Sequence, residues 1–178
     1  MSAKLVIVTG PREAGKSTFC RHLVELARAA GRSVAGIVCP AVFEDGQKMA
    51  IEAETLRSGL RRQLATRRQA GSAPPELATR RWQFDPAVLA WGNQQLQEAT
   101  PCEVLIVDEL GPLEFERGEG WVAGLSALDS GDYRWGVVVI RPELLSVARQ
   151  RWPAAEVIVV EQVAESDPAA QALARRWF

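Results

Sequence analysis

Lys4-Leu-Val-Ile-Val-Thr9, followed at once by Gly10-Pro11-Arg12-Glu13-Ala14-Gly15-Lys16-Ser17-Thr18, is the stretch that decides the reading of this chain. The first six residues are a short β-branched run stopped by a glycine, as in a strand buried on both faces of a parallel sheet. Gly10 to Ser17 fits the pattern G-x-x-x-x-G-K-[ST]. From Ser17 to Ala30 the apolar residues Phe19, Leu23, Leu26, Ala27 and Ala30 recur at helical spacing, and Gly31 supplies a stop. Strand, glycine loop and helix in that order make a phosphate cradle: successive backbone N–H groups curl round an anion, and the helix N-terminus adds positive potential. Gly10 through Thr18 are therefore the expected nucleotide-binding residues. Lys16 is expected to reach the β- and γ-phosphates, and the Ser17 hydroxyl to ligate Mg²⁺. Arg12 is read as a phosphate contact or a solvated residue. Glu13 fits beside a triphosphate only if it points outward.

Val34 to Cys39 reads as a second strand, which completes a βαβ unit. Beyond it the pattern changes. Asp45-Gly46 turns a hairpin between Val42-Phe43 and Met49-Ala50-Ile51, and Ser58-Gly59 turns another between Leu56 and Leu60. Gly71-Ser-Ala-Pro-Pro75 reads as a loop. Asp85-Pro86 signals an N-cap and first helical position for a helix running to about Ala99. Strands at Val104–Asp108, Trp135–Ile140 and Val157–Val160 then alternate with helices at Trp121–Leu128 and Pro142–Arg149. A last helix is expected to be capped by Asp167-Pro168. Five parallel-type strands with intervening helices predict an α/β sheet covered on both faces. One domain over residues 1–178 is expected, with an arginine-rich hairpin and loop insertion at about 42–81.

Val104-Leu-Ile-Val-Asp108-Glu109 delivers two carboxylates at the end of a buried strand. Such a strand presents charge only where it emerges, and ligands of open α/β sheets bind at carboxyl ends. Asp108 is the expected second holder of Mg²⁺ beside Ser17, and Glu109 the expected catalytic group that polarises an attacking water.

Asp108-Glu-Leu-Gly-Pro-Leu-Glu114, together with the N-terminal phosphate loop, resembles a family of small nucleoside-triphosphatases first known from thermophiles and also called cancer-related nucleoside-triphosphatases. The family's second motif reads Asp-Glu-Ile-Gly-x-Met/Leu-Glu, so only Leu110 departs from it. Gly36-Ile-Val, the hairpins after it and the chain length extend the resemblance. It implies a P-loop NTPase with a RecA-like, mainly parallel sheet, and Mg²⁺-dependent hydrolysis of several nucleoside triphosphates to diphosphate and phosphate. It also assigns binding and catalytic roles to Lys16, Ser17, Asp108 and Glu109. Glu13 stands where the family carries a small residue, and Ser17 where it carries Thr.

A RecA-like strand order would seat the Trp135–Ile140 strand between the loop strand and the Asp108 strand. Arg141 would then emerge beside the γ-phosphate as a third catalytic group; otherwise it is a surface arginine before a helix. Arg57, Arg61, Arg62, Arg67, Arg68, Arg80 and Arg81 face a single acid, Glu76, across 57–81. That segment reads as a solvated face, a lid, or a docking patch for a protein partner. No aromatic residues interleave with it, so no nucleic-acid site is indicated. Glu114 either shapes the loop after Asp108 or is solvated.

The 178 residues carry 47% apolar and 24% charged side chains and a net charge of −1, ordinary for a globular protein and without a field favouring anionic polymers. No apolar run approaches the roughly 20 residues needed to span a bilayer, and no signal-peptide pattern precedes the first strand; a cytoplasmic protein is expected. Cys20, Cys39 and Cys102 lack disulfide or zinc spacing. His22, the one histidine, and the six tryptophans read as packing or surface residues. A nucleoside or nucleotide kinase and a nucleotide-switched adaptor remain the alternative functions.

Overall fold

A computed structural model describes residues 3–68 and 81–178. The chain runs β1 (Lys4–Thr9), α1 (Lys16–Ala29), β2 (Val34–Val38), then four strands β3 (Ala41–Glu44), β4 (Gln47–Thr55), β5 (Arg61–Arg67) and β6 (Trp82–Phe84). It continues through α2 (Pro86–Gln97), β7 (Cys102–Leu110), α3 (Val122–Ser130), β8 (Tyr133–Ile140), α4 (Leu145–Arg151), β9 (Glu156–Val159) and α5 (Val163–Trp177). The described strands form one nine-stranded sheet in the order β6-β5-β4-β2-β7-β8-β1-β9, with β3 on β4. The five strands expected to be parallel, from β2 to β9 in that order, are parallel. The inserted hairpins continue the sheet as an antiparallel wing, with β4 paired to the end of β2.

Period-two alternation sends each central strand's side chains to two cores. Val104 and Ile106 of β7, with Val137 and Val139 of β8, pack under Phe19, Leu23 and Leu173 of α1 and α5. Leu105, Val107, Val138 and Ile140 pack on the opposite face against Leu89, Leu96, Trp121 and Leu125. Helices therefore cover both faces, as the patterning predicts. Trp135 stacks on Trp177 with ring centroids 6.1 Å apart. His22 Nδ1 lies 3.3 Å from Asp167 Oδ1, a surface contact between α1 and α5.

Asp85 caps α2 as its position suggests, with Oδ1 accepting from the N–H groups of Ala87 at 2.8 Å and Val88 at 3.3 Å. Asp167-Pro168 does not open the last helix. α5 begins at Val163, and Pro168 lies inside it. Glu165 accepts from the Glu161 N–H and so ties down the first turn, leaving the proline to remove only one later donor. The helix expected at Pro142–Arg149 is a 3₁₀ turn at Pro142–Leu144 followed by α4. Strand β6 and a π-helical turn at Leu113–Arg117 have no sequence signal. The Gly71–Pro75 loop and Arg80 lie outside the described residues.

Gly36 sits at φ 110° opposite Ile106 in the β2–β7 ladder. A Cβ there would lie 1.9 Å from the Ile106 carbonyl oxygen. Gly36→Ala is expected to part β2 from β7 and lower stability by roughly 3 kcal/mol. The urea midpoint of unfolding reads this directly, and an unchanged midpoint would refute it.

Candidate active site

The loop between β1 and α1 owes its shape to close backbone approaches. Gly10 has φ 149°, and a Cβ on it would meet the Val160 carbonyl oxygen at 1.9 Å. Gly15, the left-handed residue before α1, passes so near α5 that a Cβ would sit 2.3 Å from Ser166 Oγ. That hydroxyl donates to the Gly15 carbonyl at 2.9 Å and fixes the loop's far end. Glu13 also takes a left-handed φ of 60°, is exposed, and explains why a small residue suits this position. Ala14 is buried beneath the loop, and Pro11, Arg12 and Thr18 line the cavity above it. Lys16 Nζ folds into the loop's concavity and donates to the carbonyls of Gly10 at 2.8 Å and Pro11. Burial lowers its pKa, although Glu109 and Asp108 pull the other way.

Two strands away, β7 ends in an irregularity. Val107 pairs with Val138 but Leu110 pairs with Ile140, so Asp108 and Glu109 together oppose one residue of β8. An extra residue of this kind re-aims side chains at a sheet's rim. Glu109 takes φ 66°, and both carboxylates line the same cavity as Lys16 and Ser17 instead of pointing to opposite faces. A bulky residue held left-handed costs about 1–2 kcal/mol and is a frequent mark of a functional position.

Asp108 is fully buried. Its Oδ2 accepts from the Cys39 N–H at 2.9 Å, while Oδ1 has no hydrogen-bond partner among the described residues. Burial pushes the carboxyl up to about 6, against the lowering influence of the Cys39 N–H and the Ser17 hydroxyl. A buried acceptor left open next to a hydroxyl oxygen fits a hard cation that takes oxygen ligands, of which Mg²⁺ is the type. Ser17 and Asp108 would hold it. Among the described residues no three His, Cys, Asp or Glu side chains are placed to hold a metal ion by themselves, so phosphate oxygens and water would complete the shell, as is usual for Mg²⁺ in phosphoryl-transfer sites.

Glu109 is paired with the third candidate. Its Oε1 accepts from Arg141 Nε at 3.2 Å and from a terminal guanidinium nitrogen at 2.6 Å. Burial would raise this carboxyl, but Arg141, with Lys48 and Lys16, holds it below the usual range. Arg141 leaves β8 between the loop strand and the Asp108 strand, where a RecA-like order puts it. Glu114 shapes the loop after Asp108: its buried carboxylate accepts from the N–H groups of Gly111 and Trp121, each at 2.7 Å.

The arginine-rich stretch is largely engaged with its own chain. Arg57 donates to the Ala99 carbonyl, Arg61 pairs with Glu54, Arg62 covers Trp91 at 4.5 Å, and Arg67 donates to Gln47. Arg81, with Lys48, Trp82 and Phe84, lines the cavity instead. Lys48 and Trp82 carry no motif, and the Cys39 contact is made by backbone, so none announces itself in the sequence.

A glycine loop from strand to helix, facing an Asp-Glu pair across one intervening strand, defines a P-loop nucleotide-binding protein of the RecA-like α/β class. Residues 5–161 match the NTPase family, and the chain belongs to it. It is similar to the nucleoside-triphosphatase THEP1 of Ignicoccus hospitalis, 34% identical over 61% of this chain and 60% of that one. THEP1 of Methanopyrus kandleri is 31% identical over 62% and 59%, and that of Thermofilum pendens 28% over 73% and 70%. The match therefore spans about three fifths of the length of the first two. In fold the chain is similar to the solution structure of a human cancer-related nucleoside triphosphatase, with a TM-score of 0.71 over 98% of this chain and 97% of that one at 20% identity. No described helix is long and apolar enough to cross a membrane.

The raised Asp108 carboxyl makes a prediction for metal-free protein. The folded chain binds this proton more tightly than the unfolded one, so the group's contribution is complete below about pH 4 and lost as pH rises past about 6. Asp108→Asn removes the desolvated charge while keeping an oxygen for the Cys39 N–H. In EDTA it is expected to be more stable than wild type at pH 8, by roughly 3 kcal/mol at most, and little different at pH 4. Thermal melts at the two pH values check this; equal shifts at both would refute it.

Proposed function

We propose that the protein hydrolyses Mg²⁺–nucleoside triphosphates to nucleoside diphosphate and phosphate. The observation that carries the reading is the open, buried oxygen of Asp108 beside Ser17 at the mouth of the phosphate loop. The loop amides from Gly10 to Thr18 take the α- and β-phosphates, and Lys16 exchanges its two loop carbonyls for β- and γ-oxygens. Ser17 and Asp108 would hold Mg²⁺, which would supply positive charge for the oxygens that become more negative as the terminal phosphate departs. Glu109 orients and polarises the attacking water, and Arg141 fixes the carboxylate that does so while adding positive charge near the γ-phosphate.

Recognition through main-chain amides and phosphate charge favours broad base acceptance. Turnover is slow, because a dedicated arginine finger contributes ~10³–10⁵ in related chemistry and Arg141 is engaged with Glu109. A cytoplasmic setting goes with free Cys20, Cys39 and Cys102.

Phosphate release measured colorimetrically with ATP, GTP, CTP and UTP tests the reading. Wild type is expected to release phosphate from all four, and EDTA to stop it. Lys16→Ala is expected to weaken binding and turnover together. Glu109→Gln is expected to keep triphosphate affinity and lose about 100-fold in turnover, the lower end for general acid–base groups. Undiminished release by Glu109→Gln would take that residue out of the mechanism.

A further inference from the structure

The cavity above the phosphate loop has a volume of about 980 Å³, at the upper end of the roughly 300–1,000 Å³ of small-ligand sites. It does not stop at the triphosphate. Its lining continues past Glu109 to Lys48, Leu64, Arg81, Trp82, Phe84 and Leu89. Strand order tells which end of the substrate this second chamber adjoins. Counting from the loop strand β1, the sheet passes β8, then β7 with Asp108 and Glu109, then β2, and only then β4, β5 and β6. Lys48, Leu64 and Trp82 stand on those last strands. The loop holds α- and β-phosphates, and Ser17 marks the metal at the γ end. The chamber therefore lies beyond the γ-phosphate, away from the part of the cavity that the nucleoside of the triphosphate would use.

Its walls are chemically specific. Trp82, Phe84, Leu64 and Leu89 make an aromatic and apolar surface, and two cations, Lys48 and Arg81, join them. Lys48 Nζ lies over the Trp82 ring, 5.2 Å from its centroid, so a positive charge and an aromatic ring stand together in the cavity wall. A site of this kind suits a molecule with one flat ring and one anionic group. Water alone requires neither.

We propose that this chamber binds a nucleoside monophosphate as a phosphoryl acceptor, so that the protein transfers the γ-phosphate as well as releasing it to water. The proposal rests on the triphosphate site described above. An oxygen of the monophosphate dianion attacks the γ-phosphorus and forms the new P–O bond. The bond from γ-phosphorus to the β-bridging oxygen breaks, and its electron pair leaves with the nucleoside diphosphate. The attacking oxygen carries no proton, so none has to be removed.

The test uses full-length protein saturated with Mg²⁺ and a non-hydrolysable ATP analogue, into which AMP, GMP, CMP and UMP are titrated calorimetrically. At least one monophosphate is expected to bind one per chain without displacing the analogue. With γ-labelled ATP in place of the analogue, label is expected in the corresponding diphosphate. Displacement of the analogue, binding without label transfer, or no binding by any of the four overturns the proposal while leaving hydrolysis standing. A chain that neither binds nor cleaves triphosphate sinks both readings. Trp82→Ala is expected to lower the ratio of transfer to phosphate release about tenfold, the loss of one base–aromatic stack. Trp82→Phe is expected to restore most of it, which separates stacking from a folding defect; a ratio unmoved by Trp82→Ala overturns the stacking site.

Discussion

A carboxylate shut away from water has to find charge or take up a proton, and at Asp108 this demand organises the surrounding structure. One oxygen is held by the Cys39 N–H and the other is left open beside Ser17. Holding that group at the end of β7 requires two cores to close over the strand, one under α1 and α5 and one under α2 and α3. It also requires the extra residue that turns Glu109 into the same cavity, and the Glu114 carboxylate that ties down the loop following it. The cost of burying this carboxyl is lessened by the Cys39 N–H and the Ser17 hydroxyl, both of which favour its charged form.

The resting contacts show how the rest of the charge is balanced. Lys16 turns onto the carbonyls of its own loop, and Arg141 onto Glu109. These two cations thus have protein partners of opposite charge or suitably oriented dipole, with which an entering phosphate would compete. Such exchanges replace one set of hydrogen bonds by another, and charge-assisted bonds to phosphate are the stronger set.

The fold was largely legible because its signals are local. The runs Lys4–Thr9 and Val104–Asp108 are continuous apolar strands, and the glycines at 10 and 15 mark backbone that no side chain could occupy. Lys16 and Ser17, which open the helix after the glycine loop, and Asp108, near the end of β7, line one cavity, as strand–loop–helix order and the carboxyl-end rule suggest. What stayed hidden depends on distant contacts. Strand β6 has three residues and is defined by its partner β5. The π turn at Leu113–Arg117 is set by Glu114 folding back on Gly111 and Trp121. Asp167-Pro168 misled because an aspartate before a proline suits a helix start, whereas α5 begins at Val163, with Glu165 and Ser166 making its early contacts. The arginines of 57–81 read as a solvated face, a lid or a docking patch, but four of them serve separate partners within the chain.

The walls of the phosphate loop come from the opposite end of the polypeptide. The Val160 carbonyl crowds Gly10, and the Ser166 hydroxyl holds Gly15 across 151 positions of sequence. During synthesis the motif leaves the ribosome 151 positions ahead of the serine that steadies it. A chain not yet extended to Ser166 thus carries the signature residues without the contacts that shape their loop.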